Sequence, residues 1–250
     1  MNYGVKFAAV SLSFVFSLSV FSQSAPTRYE FGAGAGIIMY QGDLTPWRFG
    51  SYETMKLAIN INAARLLSRF LSVRANLLFG RLKGDDALYN NPEYRKQRSF
   101  SFTSPVTELS VRLEMNPLGK NYSAKGFSPY LFAGAGLTLL KIKKDYSGFN
   151  AAYFGDGSLI PGQLAEDDAH GLPRFIPVIP AGAGIRYNLS ERIAINAESA
   201  YRFTFTDYLD GFSRAANPGR NDHYHTTTVG LIYRTGGGDR NSTACPVLKY

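Results

Sequence analysis

Cysteine is all but missing from this chain. One residue, Cys245, stands in 250, so no internal disulfide can form, and the thiol is either incidental or paired with another chain. Tryptophan (1) and histidine (3) are nearly as scarce. Charged residues make up only 18 %, and beyond the N-terminal segment no run approaches the roughly 18 apolar residues of a membrane-spanning helix. That excludes a helical transmembrane protein. Basic residues outnumber acidic ones, 27 to 19, but they stand singly along apolar segments. The excess reads as solvated charge and not as a nucleic-acid surface.

What is plentiful is glycine (25) and aromatic residues (14 %), with Phe and Tyr far ahead of Trp. This mixture suits an all-β protein with many turns. The first residues, MNYGVKFAAVSLSFVFSLSVFSQSAP, carry a lysine, an uncharged apolar run and then small residues. That is the pattern of a secretory signal peptide, here residues 1–22, cleaved after Ser22 to leave Gln23 first. No cysteine follows the apolar run, so it is not a lipoprotein signal.

From Tyr29 the chain alternates with period two, the signature of strands. AGAG occurs three times, in FGAGAGIIMY (Phe31 to Tyr40), LFAGAGLTLL (Leu131 to Leu140) and IPAGAGIRYN (Ile179 to Asn188). In each copy the alanines share the apolar face and the glycines lie opposite, beside polar residues. MKLAININAARL, FLSVRANLLFGRL, TELSVRLEMN, RIAINAESAYRFTF and YHTTTVGLIYR follow the same rule. About eight strands of about ten residues result, long enough to cross a bilayer at a tilt. The connections alternate between short turns (67–69, 117–126, 189–191) and long polar loops (41–54, 84–101, 143–176, 206–223). No helical pattern is visible in them.

The expected fold is therefore all-β: a single up-and-down antiparallel transmembrane β-barrel over residues 29–235. Long loops would be extracellular, 23–28 a periplasmic segment and 236–250 a periplasmic tail. In a small barrel the inward glycines make room for longer side chains from other strands. The inward face carries Glu30, Lys56, Arg74, Glu108, Arg112, Glu114, Arg186, Glu198, Arg202 and Arg234. Both signs are present, so a paired polar plug is expected in place of an ion-selective channel. The opposite phase, a soluble barrel with its apolar face inside, fits the asymmetric loops poorly.

Candidates for chemistry are few. His223 and His225 form a His-x-His pair where a loop enters a strand, without a convincing third ligand; with His170 they read as exposed loop histidines. GDGS (Gly155 to Ser158) and AEDD (Ala165 to Asp168) lack the alternation of a calcium loop. Asp85 and Asp86 with the loop histidines would be a hydrolase site on the rim, but no Gly-x-Ser-x-Gly turn supports it. No catalyst and no cofactor site is expected. The tail TGGGDRNSTACPVLKY joins a glycine linker to a short apolar segment, Cys245, Pro246, Val247 and Leu248.

EFGAGAGIIMYQGDL (Glu30 to Leu44), LKGDD (Leu82 to Asp86), RSFSFTSPVTELSVRLEMN (Arg98 to Asn116) and the terminal ACP together resemble the PorG-type outer-membrane barrel proteins of the Bacteroidota type IX secretion system. The likeness covers nearly all of the processed chain. It implies a non-enzymatic component, in some bacteria serving gliding, that tethers a periplasmic ring of a lipoprotein and its partner to the outer membrane. The tail, with Cys245 as a disulfide candidate, would make the attachment. A second class stays open at this point: a small barrel enzyme acting on lipid or peptide from its extracellular loops.

Overall fold

Strict alternation over ten or more residues leaves the chain few ways to bury one face, and closing the sheet on itself is one of them. The computed structural model describes residues 28–47 and 50–236. The expected signal peptide and the tail with Cys245, Pro246, Val247 and Leu248 lie outside the described residues. The strands are β1 (Arg28–Gln41), β2 (Lys56–Leu66), β3 (Leu71–Asp85), β4 (Ser101–Met115), β5 (Gly126–Leu140), β6 (Lys143–Asp145), β7 (Phe175–Asn188), β8 (Ile193–Thr204) and β9 (His223–Thr235). Every pairing is antiparallel, β3 pairs β4, and β1 pairs β9, so the sheet has no free edge. The three-residue β6 continues β5 along β4, and the nine strands therefore make eight staves. The fold is an all-β, up-and-down closed barrel.

Local chemistry explains the breaks and turns. Pro105 carries no N–H, and the β4–β5 ladder stops at Val106–Leu140 and resumes at Thr103–Lys143. The Lys141 amide instead donates to Ser104 Oγ at 3.2 Å. Two of the short turns share one device. Ser68 Oγ accepts from the Leu71 amide at 3.0 Å, and Ser190 Oγ accepts from the Ile193 amide at 3.1 Å, which is why LSRF and LSER look alike.

Outward side chains are apolar in a continuous belt, with Leu57, Ile59, Leu109, Val111, Leu131, Leu137, Val229 and Leu231 all exposed. Aromatic residues border it. Phe127 and Tyr187 meet at 4.8 Å near the short-turn end, and Tyr201 meets Phe203 at 4.7 Å near the long-loop end. An exposed apolar band between aromatic girdles is the outer wall of a membrane-spanning barrel.

Inward, the AGAG glycines sit where another group already fills the space. A Cβ on Gly184 would strike the Tyr130 ring, one on Gly182 would meet the Phe132 ring and the Ser199 carbonyl, and one on Gly134 would meet the backbone of Val111 and Arg112. Gly32 and Gly34 make room for Asn62 and Asn60. The aromatic rings so admitted cover charge: Arg74 and Arg186 lie 5.6 and 5.2 Å from the Tyr130 ring centre, and Arg112 lies 4.8 Å from that of Phe132.

The long loops do not match the expectation of helix-free polar connections. They contain α1 (Tyr94–Arg98), α2 (Ala151–Phe154) and α3 (Ile160–His170), and they pack into a cap over one barrel mouth. Leu44, Phe100, Leu164, Leu209, Phe212 and Ala215 from the loops join one buried cluster with Ile38, Leu78, Leu82 and Val178 of the staves. Phe100 and Phe212 stack at 4.5 Å. Asp167 of α3, fully buried, accepts from the amides of Ser213, Arg214 and Ala215 at 3.2, 2.9 and 3.0 Å. The AEDD stretch thus clamps α3 to the last loop. Asp167→Ala removes three charge-assisted bonds and should lower cap stability by about 3 kcal/mol. Hydrogen exchange at residues 206–222 should accelerate while the strands stay protected; unchanged exchange there would refute the clamp.

Candidate functional site

Two polar assemblies occupy the interior. The first runs up the lumen from the short-turn end, where Glu30 and Arg234 lie, to Arg202 near the long-loop end. Arg234 Nε lies 2.8 Å from Glu30 Oε1, Arg186 Nη2 3.1 Å from Glu30 Oε2 and 3.5 Å from Glu114 Oε2, and Arg74 Nε 2.7 Å from Glu114 Oε1. Arg74 also reaches Glu198 Oε2 at 3.5 Å, and Glu198 Oε1 pairs with Arg112 Nη1 at 2.5 Å. The result is one alternating chain from Arg234 to Arg112. Arg202 and Glu108 form a separate pair, Nε to Oε2 at 3.0 Å, in which Tyr224 also donates to Glu108 Oε2 at 3.0 Å.

All nine side chains are buried. Such a network is stable only because each charge faces its opposite, since an unpaired ion here carries a desolvation penalty of several kcal/mol. Of the ten inward charges expected, Lys56 is the one outside the network. It has the inward phase but sits at the first residue of β2, at the long-loop end, half-buried and without an ion pair among the described residues.

The second assembly lies under the cap and escaped sequence reading. Asp43 from the β1–β2 loop, Asp207 and Asp210 from the β8–β9 loop, and Asp222 just before β9 converge around Tyr40. The Tyr40 hydroxyl is 2.7 Å from Asp210 Oδ2 and 2.7 Å from Asp222 Oδ1. It has one proton to donate, so the second contact needs a proton on a carboxyl. Burial pushes both Asp210 and Asp222 well above the usual carboxylate range, and their mutual repulsion adds to the rise of Asp222. Burial and the neighbouring Asp207 push Asp43 up to about 7, and burial pushes Asp207 up to about 6.

Asp43 is held from behind. Its carbonyl oxygen accepts from Arg95 Nη1 at 3.1 Å and Arg98 Nη2 at 3.3 Å, and both arginines pair with the fully buried Asp86, at 2.7 and 2.6 Å. Asp86 is therefore a structural anchor. Asp85 pairs with Lys83 at 2.9 Å and accepts from the Ala87 amide at 3.2 Å. Neither faces a histidine, so the hydrolase arrangement is not formed. The expectation of exposed loop histidines holds for His170, exposed at the end of α3, and not for the other two. His223 and His225 stand half-buried on β9, His223 against Tyr201 and Phe203, and His170 stacks on Tyr208 at 3.9 Å. Asp156 of GDGS sits in an exposed turn.

An eight-staved membrane barrel with an ion-paired interior and a folded cap defines the class of protein. The chain belongs to the family described as a domain of unknown function, DUF6089, whose model matches residues 9–236. Among curated proteins no sequence matches. Solved structures that resemble it are outer-membrane proteins. The attachment invasion locus protein Ail of Yersinia pestis is 10 % identical, with 84 % of this chain and 100 % of that chain covered at a TM-score of 0.46. OprG of Pseudomonas aeruginosa is 11 % identical, covering 83 % and 96 %, at 0.44. Neisserial surface protein A is 15 % identical, covering 82 % and 96 %, at 0.41.

Proposed function

We propose that this chain is a non-enzymatic outer-membrane component of the type IX protein secretion machinery, holding a periplasmic ring beneath the membrane. In this reading the short turns and both termini are periplasmic, the capped end is extracellular, and residues 236–250 reach the ring lipoprotein and its partner.

The observation that carries it is the packed interior. Nine buried charges, capped by an apolar layer, leave the barrel as a rigid membrane anchor and not as a conduit. The ordered motifs EFGAGAGIIMYQGDL, LKGDD and RSFSFTSPVTELSVRLEMN support the secretion role, and among the described residues the carboxylates and histidines form no nucleophile–base pair.

Affinity purification of the tagged chain from native membranes tests the reading: ring proteins should co-isolate, and solitary recovery would overturn it. A finer test concerns Cys245, whose lone thiol would meet a partner in an oxidising space. Non-reducing gels should show a higher-mass band that collapses on reduction and vanishes in Cys245→Ser. A wild-type chain that stays monomeric, with Cys245 open to thiol labelling, would limit the tail to non-covalent contact.

A further inference from the structure

The acids under the cap are arranged for something they do not contact. Asp43 is only 9 % exposed, yet its Oδ2 has no hydrogen-bond partner among the described residues, and neither have the two shielded carboxylate oxygens of Asp207. Buried polar atoms in folded proteins are nearly always satisfied, so three orphaned carboxylate oxygens in one place call for a ligand. One ligand atom from each of Asp43, Asp207 and Asp222 lies within 4.8 Å of the others. Two oxygens bound to a common calcium ion at about 2.4 Å stand no farther apart than that.

The surroundings agree. A Cβ on Gly42 would strike the Asp222 carboxylate and the Tyr40 hydroxyl, so glycine alone lets the β1–β2 loop pass this close. Of the described cations that act on Asp43, Arg98 is bound to Asp86 and Arg220 is exposed at the loop surface. The donors are all hard oxygens. Several protein carboxylates in one place suit calcium, whereas magnesium retains water and takes only one or two of them.

We propose that Asp43, Asp207 and Asp222 form a calcium site that fastens the β1–β2 loop to the β8–β9 loop across the seam where β1 meets β9. Asp210 and Tyr40 orient Asp222 from behind. The bound ion adds positive charge to these clustered acids and makes them the keystone of the cap.

The test uses the full processed chain, refolded in detergent and shown to be folded by heat-modifiable gel migration. Equilibrium dialysis with radioactive calcium should find one saturable site. Terbium substituted for calcium should luminesce on tyrosine excitation, because Tyr40 borders the site. Asp207→Asn removes a charged ligand from the partly exposed edge of the cluster and should weaken calcium binding at least tenfold. Asp156→Asn, in the exposed GDGS turn, should leave it unchanged. Calcium should also slow tryptic cleavage after Arg214 and Arg220 relative to chelator. If Asp207→Asn does not fold, Asp43→Asn is measured in its place with the same expectation. A folded wild-type barrel that takes up no calcium at millimolar concentration would overturn the proposal. So would equal affinity in the ligand variant, or displacement of calcium by an equal concentration of magnesium.

Discussion

Glu198→Ala should lower the unfolding free energy of the refolded barrel by about 3–5 kcal/mol, the loss expected when one partner is taken from a buried ion pair. Glu198 serves three groups at once: Arg112 at 2.5 Å, Arg74 at 3.5 Å and the Tyr130 hydroxyl at 3.0 Å. Its removal leaves two buried guanidiniums competing for fewer acids. The lumen already holds five arginines (74, 112, 186, 202, 234) against four glutamates (30, 108, 114, 198), so the variant is more unbalanced still. Glu198→Gln keeps an acceptor and the volume and should lose less. Adding Arg112→Met to Glu198→Ala should recover part of the loss, since the orphaned charge is then gone. The urea midpoint and the temperature at which the unfolded band appears on gels both report it. Arg214→Ala, which breaks an exposed 3.9 Å contact with Glu166, serves as the control and should not shift either. A Glu198→Ala barrel as stable as the wild type would mean that the lumen charges are hydrated and not paired.

The staves and their phase were legible because lipid on one side and a crowded lumen on the other impose an alternation that no strand can evade. Glu30, Arg74 and Glu198 could be assigned inward from their neighbours alone. Their pairing could not, because strand tilt decides which inward residues meet at one level; Lys56 shares their phase and sits too high. The cap was illegible for a different reason. Leu44, Phe100, Leu164 and Phe212 are isolated apolar residues in polar loops, and they form a core only when segments far apart in sequence meet. α1 and α2, of five and four residues, are too short to show a helical period. The carboxylate cluster was hidden in the same way. The contiguous acids of AEDD and the glycine-flanked Asp156 of GDGS carry a local pattern, whereas Asp43, Asp207 and Asp222 stand singly in loops at opposite ends of the chain. The one available sign was the Gly-Asp pair at 42–43 directly after a strand, which alone says only turn.

Ala135→Arg should destabilise the barrel by about 2–4 kcal/mol in a bilayer, the range for a cation near the midplane of the lipid face. Ala135 is exposed, lies well inside β5 and pairs with Val111 of β4, so a long side chain there has no short path to water. Ile195→Arg faces the same lipid but should lose only about 0–1 kcal/mol. Ile195 is the third residue of β8 and pairs with Tyr187 of the aromatic girdle, at a level where a guanidinium can reach the headgroups along its own stem. The difference between the two therefore measures depth, and their common sign measures face. Apolar substitutions separate the faces without charge. Ala135→Leu only extends into lipid and should be tolerated. Gly134→Ala, one residue away, puts a methyl group against the backbone of Val111 and Arg112, where neither strand can yield without breaking the ladder, and should impair refolding. Folding yield into vesicles and urea midpoints decide the matter. If Gly134→Ala refolds normally and Ala135→Leu does not, β5 is assigned to the wrong face, and with it the alternation that all three AGAG strands share.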